Sequence, residues 1–398
     1  MKKASVRDVR RSNRALLLRQ LLLAGETSRG ELGASTGLSP ATVTSVVSEL
    51  IDEGTVTETG FLDSEGGRRR VLLHVAPDAG FVLGTDVSEA QVSTAVFGLT
   101  LGKLAERSTS FPGRRIDPER VGEIITAHVA DLLAETGIDR SRLIGLGLGV
   151  PGVVEHPATP AAIVHADVIG WDSASFGSLE SRLGIPLLVD NGAKTTTQAE
   201  SWYGSARGAE HAIVALIGDG VGAGIITNGR LYRGASSGAG EWGHTKISLS
   251  GPPCRCGSHG CVEAIVGASA VLRDWRGGDE FVGREPQGVD ELLAAHARGD
   301  AGAVRAITAM IDNLGLALSN LVNLYNPEKI IVGGWFGDLI ARDYPEELRA
   351  AVRRFSLMQP GEQAVVERSQ LGRSAVTLGA ATLPVDRFIE TGLVPSIA

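Results

Sequence analysis

Gly240-Glu241-Trp242-Gly243-His244, followed by Cys254-Arg255-Cys256-Gly257-Ser258-His259-Gly260-Cys261-Val262-Glu263, is the stretch on which the reading of this chain turns. The 3 cysteines of the 398 residues all fall within it. An odd number of thiols this closely spaced is no disulfide framework, whereas three thiolates and one imidazole complete a tetrahedral zinc site. Cys254, Cys256 and Cys261 supply the thiolates, and His244 is the fourth ligand of choice. His259 is the competing candidate, although a ligand there would cramp the loop between Cys256 and Cys261. Gly257 and Gly260 fit tight turns around thiolates, because glycine allows positive φ and close backbone approach. Three inert buried thiols would have no reason to cluster. Zn2+ is therefore the expected cofactor, in a structural role, with a metal loop over 244–261 that holds Glu241 and Glu263 near one another.

Outward from this stretch, the length suggests two or three domains, and a hydrophobic content of 43% is ample for their cores. No uninterrupted apolar run reaches the roughly 18–20 residues of a membrane span. Without a secretory segment, and with reduced thiols implied, the expected location is the cytoplasm. The formal charge of −8 is unevenly distributed: residues 1–77 carry 11 Lys+Arg against 9 Asp+Glu, and the rest 27 against 37. Lys2, Lys3, Arg7, Arg10, Arg11, Arg14 and Arg19 face only Asp8 in the first 19 residues. A basic front on an acidic body points to a separate polyanion-binding module, with a solvated tail as the alternative for the charge run alone.

Residues 1–76 read as a winged helix-turn-helix. Ser12 is a candidate N-cap for a helix from Asn13 to about Ala24, ended by Gly25. Ser28 and Glu31 have capping-box spacing for a second helix stopping near Gly37, and Ser39-Pro40 opens a third with Val43, Val46, Val47, Leu50 and Ile51 at helical spacing. The runs 55–59 and 71–75 flank a glycine and arginine tip and read as a hairpin wing. Ser39, Thr42, Thr44, Ser45 and Ser48 would then make hydroxyl and methyl contacts to bases of double-stranded DNA, while Arg68, Arg69 and Arg70 supply the electrostatic grip. One winged helix offers a small interface, so a homodimer or a dimer of dimers on paired half-sites is expected.

After a short linker at 77–80, residues 81–398 read as two lobes facing a cleft. Each half has an apolar strand, a turn and another apolar strand: Phe81 to Phe97 in the first, Ile213 to Ile226 around Gly218-Asp219-Gly220 in the second. A helix is predicted over 119–136, a buried strand from Leu143 that ends in a turn at Pro151-Gly152, and a helix over 302–324 that is core or dimer contact, core being the safer reading.

Taken whole, the chain resembles the ROK family of repressors and sugar kinases, whose fold is related to actin and hexokinase (ribonuclease H-like). The carrying residues are those quoted at the outset, with Gly149-Val150-Pro151-Gly152, Gly170-Trp171, Asp190-Asn191, Leu231-Tyr232-Arg233-Gly234 and Ile331-Val332-Gly333-Gly334 in support. The fold class implied is α/β, a winged helix-turn-helix followed by a two-lobed sugar-sensing domain. The resemblance also implies zinc on His244 and the three cysteines, and sugar hydroxyls on Asn191, Glu241, His244 and Glu263.

Departures from the kinase pattern separate sensor from enzyme. Where the kinases carry Gly-x-Asp-x-Gly-Gly-Thr, this chain has Gly84-Thr85-Asp86-Val87-Ser88-Glu89-Ala90, and Glu89 is expected to repel phosphate. Asp219 stands for a threonine at the second phosphate turn, Trp335 for a glycine near the nucleotide base, and Gly192 for the catalytic aspartate; Asp190, two residues earlier, would point elsewhere unless the register slips. The reading is a sugar-responsive DNA-binding regulator, a repressor of carbohydrate metabolism genes with no catalytic residues and no kinase activity. Its alternatives are a ROK sugar kinase with a DNA-binding appendage, and a regulator that has exchanged its sugar for a protein partner.

Overall fold

A computed structural model describes residues 5–62, 70–111, 113, 115–159, 162–278, 282 and 284–392. The first module is built from α1 (Val6–Ala24), β1 (Thr27–Ser28), α2 (Arg29–Thr36), α3 (Pro40–Asp52), β2 (Val56–Leu62) and β3 (Arg70–Val75), with the strands in the order β1-β3-β2. Ser28 and Glu31 form the expected capping box, and Gly37 closes α2 at a φ of 70°. Ser39 caps α3 ahead of Pro40. The first helix departs from expectation. It starts at Val6, not Asn13, because Ser5 and Asp8 form a capping box of their own and satisfy the helix's first N–H groups seven residues earlier. The arginines from Arg7 to Arg19 therefore lie on a helix and not in a tail.

The first lobe follows: β4 (Phe81–Val87), β5 (Gln91–Gly98) and β6 (Lys103–Ser110) run antiparallel, α4 (Pro118–Thr136) crosses over, and β7 (Leu143–Val150) returns parallel to β4. A small sheet of β8 (Val153–Glu155), β9 (Ile163–Ala166) and β10 (Trp171–Ala174) precedes α5 (Gly177–Leu183) and β11 (Leu187–Asn191), which pairs parallel to β7. Next, α6 (Gly192–Tyr203) leads to β12 (Ala212–Ile217), β13 (Val221–Thr227) and β14 (Arg230–Tyr232), then α7 (Val262–Val266), α8 (Ala268–Arg276), α9 (Glu285–Ala297) and α10 (Ala301–Tyr325). The chain ends through β15 (Lys329–Gly333), α11 (Trp335–Asp343), α12 (Pro345–Phe355), α13 (Met358–Gln363), β16 (Val365–Arg368) and α14 (Ala375–Thr391). The two large sheets, β6-β5-β4-β7-β11 and β14-β13-β12-β15-β16, match strand for strand, three antiparallel and then two parallel. This is the duplicated α/β architecture that the paired glycine-turned hairpins imply.

Glycines decide how the layers meet. Gly145, Gly147 and Gly149 alternate along one face of β7 and lie against Pro384, Ala380 and Val376 of α14. Two strand residues advance about 6.6 Å and four helix residues about 6 Å, so a Gly-x-Gly-x-Gly strand stays in step with a helix lying along it. At Gly147 a Cβ would stand 1.8 Å from the Ala380 carbonyl oxygen, and at Gly84 1.9 Å from that of Thr377. In the other lobe Gly224 lets α6 approach β13, where a Cβ would stand 1.9 Å from Thr197 Oγ1. By composition α10 is long and apolar enough to cross a membrane, but Ile307, Met310, Leu314, Leu318 and Val322 are buried in the second lobe's core, the expected core reading.

The first module is not a loosely tethered bead. Leu17, Leu18 and Leu21 of α1 share one apolar core with Phe97, Ile144, Val385, Phe388 and Ile389. Arg19 is ion-paired with Asp386, and the linker is pinned by a hydrogen bond from the Leu99 N–H to the Pro77 carbonyl at 2.8 Å.

Candidate functional site

The cleft site is built by one excursion of the second sheet, between β14 and α7. Gly240, at a φ of 90°, presses the segment onto β13, where a Cβ would stand 2.0 Å from the Ala223 carbonyl oxygen. Gly243 repeats this 1.9 Å from the Val221 carbonyl oxygen. The turn Trp242–His244 is anchored by the buried Trp242, whose indole N–H donates to the Ala317 carbonyl of α10 at 3.2 Å. The following loop folds back on itself through N–H donations from Ile247 to Gly260 at 3.0 Å, Gly260 to Pro252 at 2.9 Å and Val262 to Thr245 at 3.0 Å. Gly257 and Gly260 have φ of 84° and 65°, and a Cβ at Gly260 would stand 1.7 Å from the Ser248 carbonyl oxygen, so only glycine fits there.

This folding brings the donor atoms of His244, Cys254, Cys256 and Cys261 within 4.8 Å of one another. The Cys256 and Cys261 sulfurs are 3.7 Å apart, and Cys254 Sγ is 3.7 Å from His244 Nδ1. A tetrahedron with metal–sulfur bonds of about 2.3 Å has edges of about 3.8 Å, so the donor set suits zinc in chemistry and in spacing. His259 is exposed, paired through its backbone with Pro253, and outside the group of four. Burial pushes the Cys254 thiol up to about 12, so a metal binding there has to displace its proton.

Glu263, in the first turn of α7, is 8% exposed. Its Oε2 accepts the Val221 N–H at 3.0 Å and its Oε1 the Arg255 Nε–H at 3.3 Å. Arg255 also reaches Glu89 in the turn between β4 and β5, with Nη1 at 2.7 and 2.6 Å from the two carboxylate oxygens. Glu89 is therefore not the bare negative charge expected at the first phosphate turn: Arg255 takes up that charge and ties the two lobes together across the cleft. Over the second turn lies Trp335, whose indole would be 3.0 Å from a Cβ on Gly218.

At the head of α6, Asn191 is the N-cap: Oδ1 accepts the N–H groups of Ala193 at 2.9 Å and Lys194 at 3.1 Å, and Nδ2 donates to the Gly152 carbonyl at 2.6 Å. One amide hydrogen is left for a ligand. Asp190 is 1% exposed, paired with Arg233 Nη2 at 2.6 Å and accepting the Asn191 N–H at 2.8 Å. Gly192 opens α6, where a Cβ would meet Val376 Cγ1 at 3.5 Å. Glu241 is half-buried and immediately precedes the Trp242–His244 turn. Lys194, Arg233 and Arg255 are cleft residues that sequence reasoning missed. Charges 39 and 61 positions downstream of Lys194 carry no mark of convergence, and the one local signal was a lone lysine in the otherwise uncharged opening turns of α6.

On the first module, Thr44, Ser45 and Ser48 are exposed along α3, and Thr42 is half-buried. Ser39 Oγ accepts the Thr42 N–H at 3.3 Å and lies 2.9 Å from Thr42 Oγ1, so both serve the cap. Glu49 is paired with Arg10 of α1 at 2.5 Å. Arg70 is exposed at the start of β3, while Arg68 and Arg69 lie outside the described residues.

Comparison with known proteins agrees with this architecture. The model of the ROK family matches residues 82–387. A xylose repressor of Caldicellulosiruptor bescii is 28% identical over 397 residues, covering 95% of this chain and 96% of its own. A glucokinase of Halalkalibacterium halodurans is 31% identical over 320 residues, covering 76% of this chain and 94% of its own. Among solved structures, a ROK family transcriptional regulator described as a homolog of the E. coli Mlc protein superposes with a TM-score of 0.78 at 24% identity, covering 97% of this chain and 98% of that one.

Proposed function

Because the chain belongs to the ROK family, which includes repressors and sugar kinases alike, we propose that it is a sugar-responsive transcriptional repressor without kinase activity. The observation that carries this reading is the unequal fate of two chemistries in one cleft. The carboxylates and the imidazole suited to sugar hydroxyls are kept. The parts needed for phosphoryl transfer are replaced: Gly192 offers no base, Arg255 with Glu89 fills the first phosphate turn, and Trp335 covers the second. The similarity to the repressor covers 95% of this chain and so extends into the first module, whereas that to the kinase covers 76%.

In this reading residues 1–76 bind an operator through α3 and the wing, 77–80 join the modules, and 81–398 sense the sugar in the cytoplasm, as a homodimer or a dimer of dimers on paired half-sites. Zinc on His244, Cys254, Cys256 and Cys261 would order the pocket wall by fixing the imidazole and the loop leading to Glu263, with no role as a Lewis acid. Glu241 and Glu263 accept sugar hydroxyls, His244 offers a fixed partner, and Asn191 positions the head of α6 while giving its remaining N–H to the ligand. The test is a thermal-shift screen against monosaccharides followed by operator titration with and without the hit. A sugar that raises the melting temperature and weakens operator binding is expected; no sugar that binds, or binding with no effect on operator affinity, refutes the reading.

A further inference from the structure

Lys194 is a buried charge that the proposed function has not used. It is 2% exposed, and among the described residues its ammonium makes neither a hydrogen bond nor an ion pair, although its backbone N–H is held by Asn191. A cation with three donors is not retained in a protein interior without acceptors unless something supplies them. The geometry of α6 says where they come from. Ala193 and Thr197 face Gly222 and Gly224 of β13, while Gly192 and Thr195 face Val376 and Gly379 of α14. The remaining side of the helix carries Lys194, and its neighbourhood is set by Gly240, which lies against Ala223 and Gly224 of β13, and by Arg233, which pairs with Asp190 just ahead of α6. Burial pushes the ammonium's pKa down, while the carboxylates of Glu241 and Asp190 oppose that and Arg233 adds to it, so the four groups share one region.

The charges there are already matched. Asp190 is paired with Arg233 at 2.6 Å, and Arg255 with Glu89 and Glu263 at 2.6 and 3.3 Å. Lys194 feels the Glu241 carboxylate but makes no ion pair with it, which leaves no surplus positive charge for a phosphate or a carboxylate. A neutral hydroxyl accepts from an ammonium and donates to a carboxylate at once, satisfying both. We propose that Lys194 is the specificity-determining donor of the pocket, and that the effector is a neutral, unphosphorylated monosaccharide bridging the Lys194 ammonium and the Glu241 carboxylate. This rests on the sugar-sensing reading and adds to it the ligand's charge and the residue that selects it.

The test is calorimetry on the full chain with the D-aldopentoses and D-aldohexoses, each neutral sugar that binds being compared with its phosphate ester and its uronic acid. The neutral sugar is expected to bind tightest. Lys194→Met keeps the stem and removes the donor; it should lower sugar affinity on the order of ten- to a hundredfold while melting no lower than wild type and keeping its metal content. If that variant does not fold, Lys194→Gln, which retains an uncharged donor, should still bind more weakly than wild type. Preference for the phosphate or uronic acid, or wild-type affinity in the folded variant, overturns this proposal and leaves sugar sensing intact. Binding of no sugar in any form overturns the sugar-sensing reading, and this proposal with it.

Discussion

Gly379 of α14 lies against the carbonyl oxygen of Thr195 in α6, where a Cβ would stand only 2.3 Å away. The head of α6 carries Asn191 and Lys194, and the far end of α14 carries Asp386 and Phe388, which hold Arg19 and the leucines of α1. In the proposed function, a shift of α6 on sugar binding would meet a helix that ends in the core of the first module, a contiguous packed route from the cleft to that module.

Asp386→Ala cuts that route at its far end, away from the cleft. Sugar affinity should stay at the wild-type value, while the sugar-dependent change in operator affinity, for which coupling of about 1–3 kcal/mol is typical, should shrink severalfold. Anisotropy titrations with and without sugar measure both; an unchanged coupling shows that the signal travels elsewhere.

Much of this was legible because it rests on local rules. The capping box of α2, the glycine-turned hairpins and the thiol cluster are each specified within fewer than twenty residues. The start of α1 was misread because Ser12, a good cap by type, competes with Ser5, whose partner Asp8 sits at the right spacing to cap an earlier turn. The alternating glycines of β7 marked a strand, but their purpose depends on a helix more than 200 residues later in the chain. Nor could the pairing of Glu89 with Arg255 be read from one chain, since it exists only once the two lobes close on each other.

The metal prediction separates ordering from contact. Cys256→Ser should lose zinc and blunt the sugar response, because His244 belongs to the cluster and, in the proposed function, to the pocket wall as well. Glu263→Gln should retain zinc and weaken sugar binding. Metal analysis and calorimetry on both variants decide this; full zinc occupancy in Cys256→Ser, or a normal sugar response without metal, contradicts the coupling.

Replacing Arg68, Arg69 and Arg70 together with alanine should weaken operator binding and reduce the slope of log affinity against log salt by about 2–3, if each neutralises one phosphate. A filter-binding titration over a range of salt concentrations reads the slope, and an unchanged slope removes the wing from the interface.

Burial, with Glu106 adding to it, pushes Asp86 up to about 7 from its ordinary value of 3.8. Between those two values the unfolded chain has released this proton and the folded chain has kept it. Stability therefore falls as pH rises from about 4 to about 7, by roughly 1.4 kcal/mol per unit at most, and stays lowered above that. Asp86→Asn removes the effect. Its gain over wild type in thermal or denaturant unfolding should be larger at pH 8 than at pH 5; an equal gain at both places the ionisation outside this window.

The last expectation is that the protein does not phosphorylate its sugar and that no single substitution makes it do so. Phosphoryl transfer needs a base beside the attacking hydroxyl and a clamp holding ATP and Mg2+ in line, and the loss of either costs orders of magnitude in rate. Gly192→Asp restores a carboxylate at the head of α6, and the 3.5 Å from a Cβ to Val376 Cγ1 leaves room for it. The clamp is still missing, because Arg255 and Glu89 close the first phosphate turn and Trp335 covers the second. Wild type and Gly192→Asp should both bind sugar, and neither should turn over ATP in a coupled assay with the cognate sugar and Mg2+. Steady wild-type turnover at an ordinary kinase rate, on the order of 1 per second or more, would make the chain a kinase carrying a DNA-binding module.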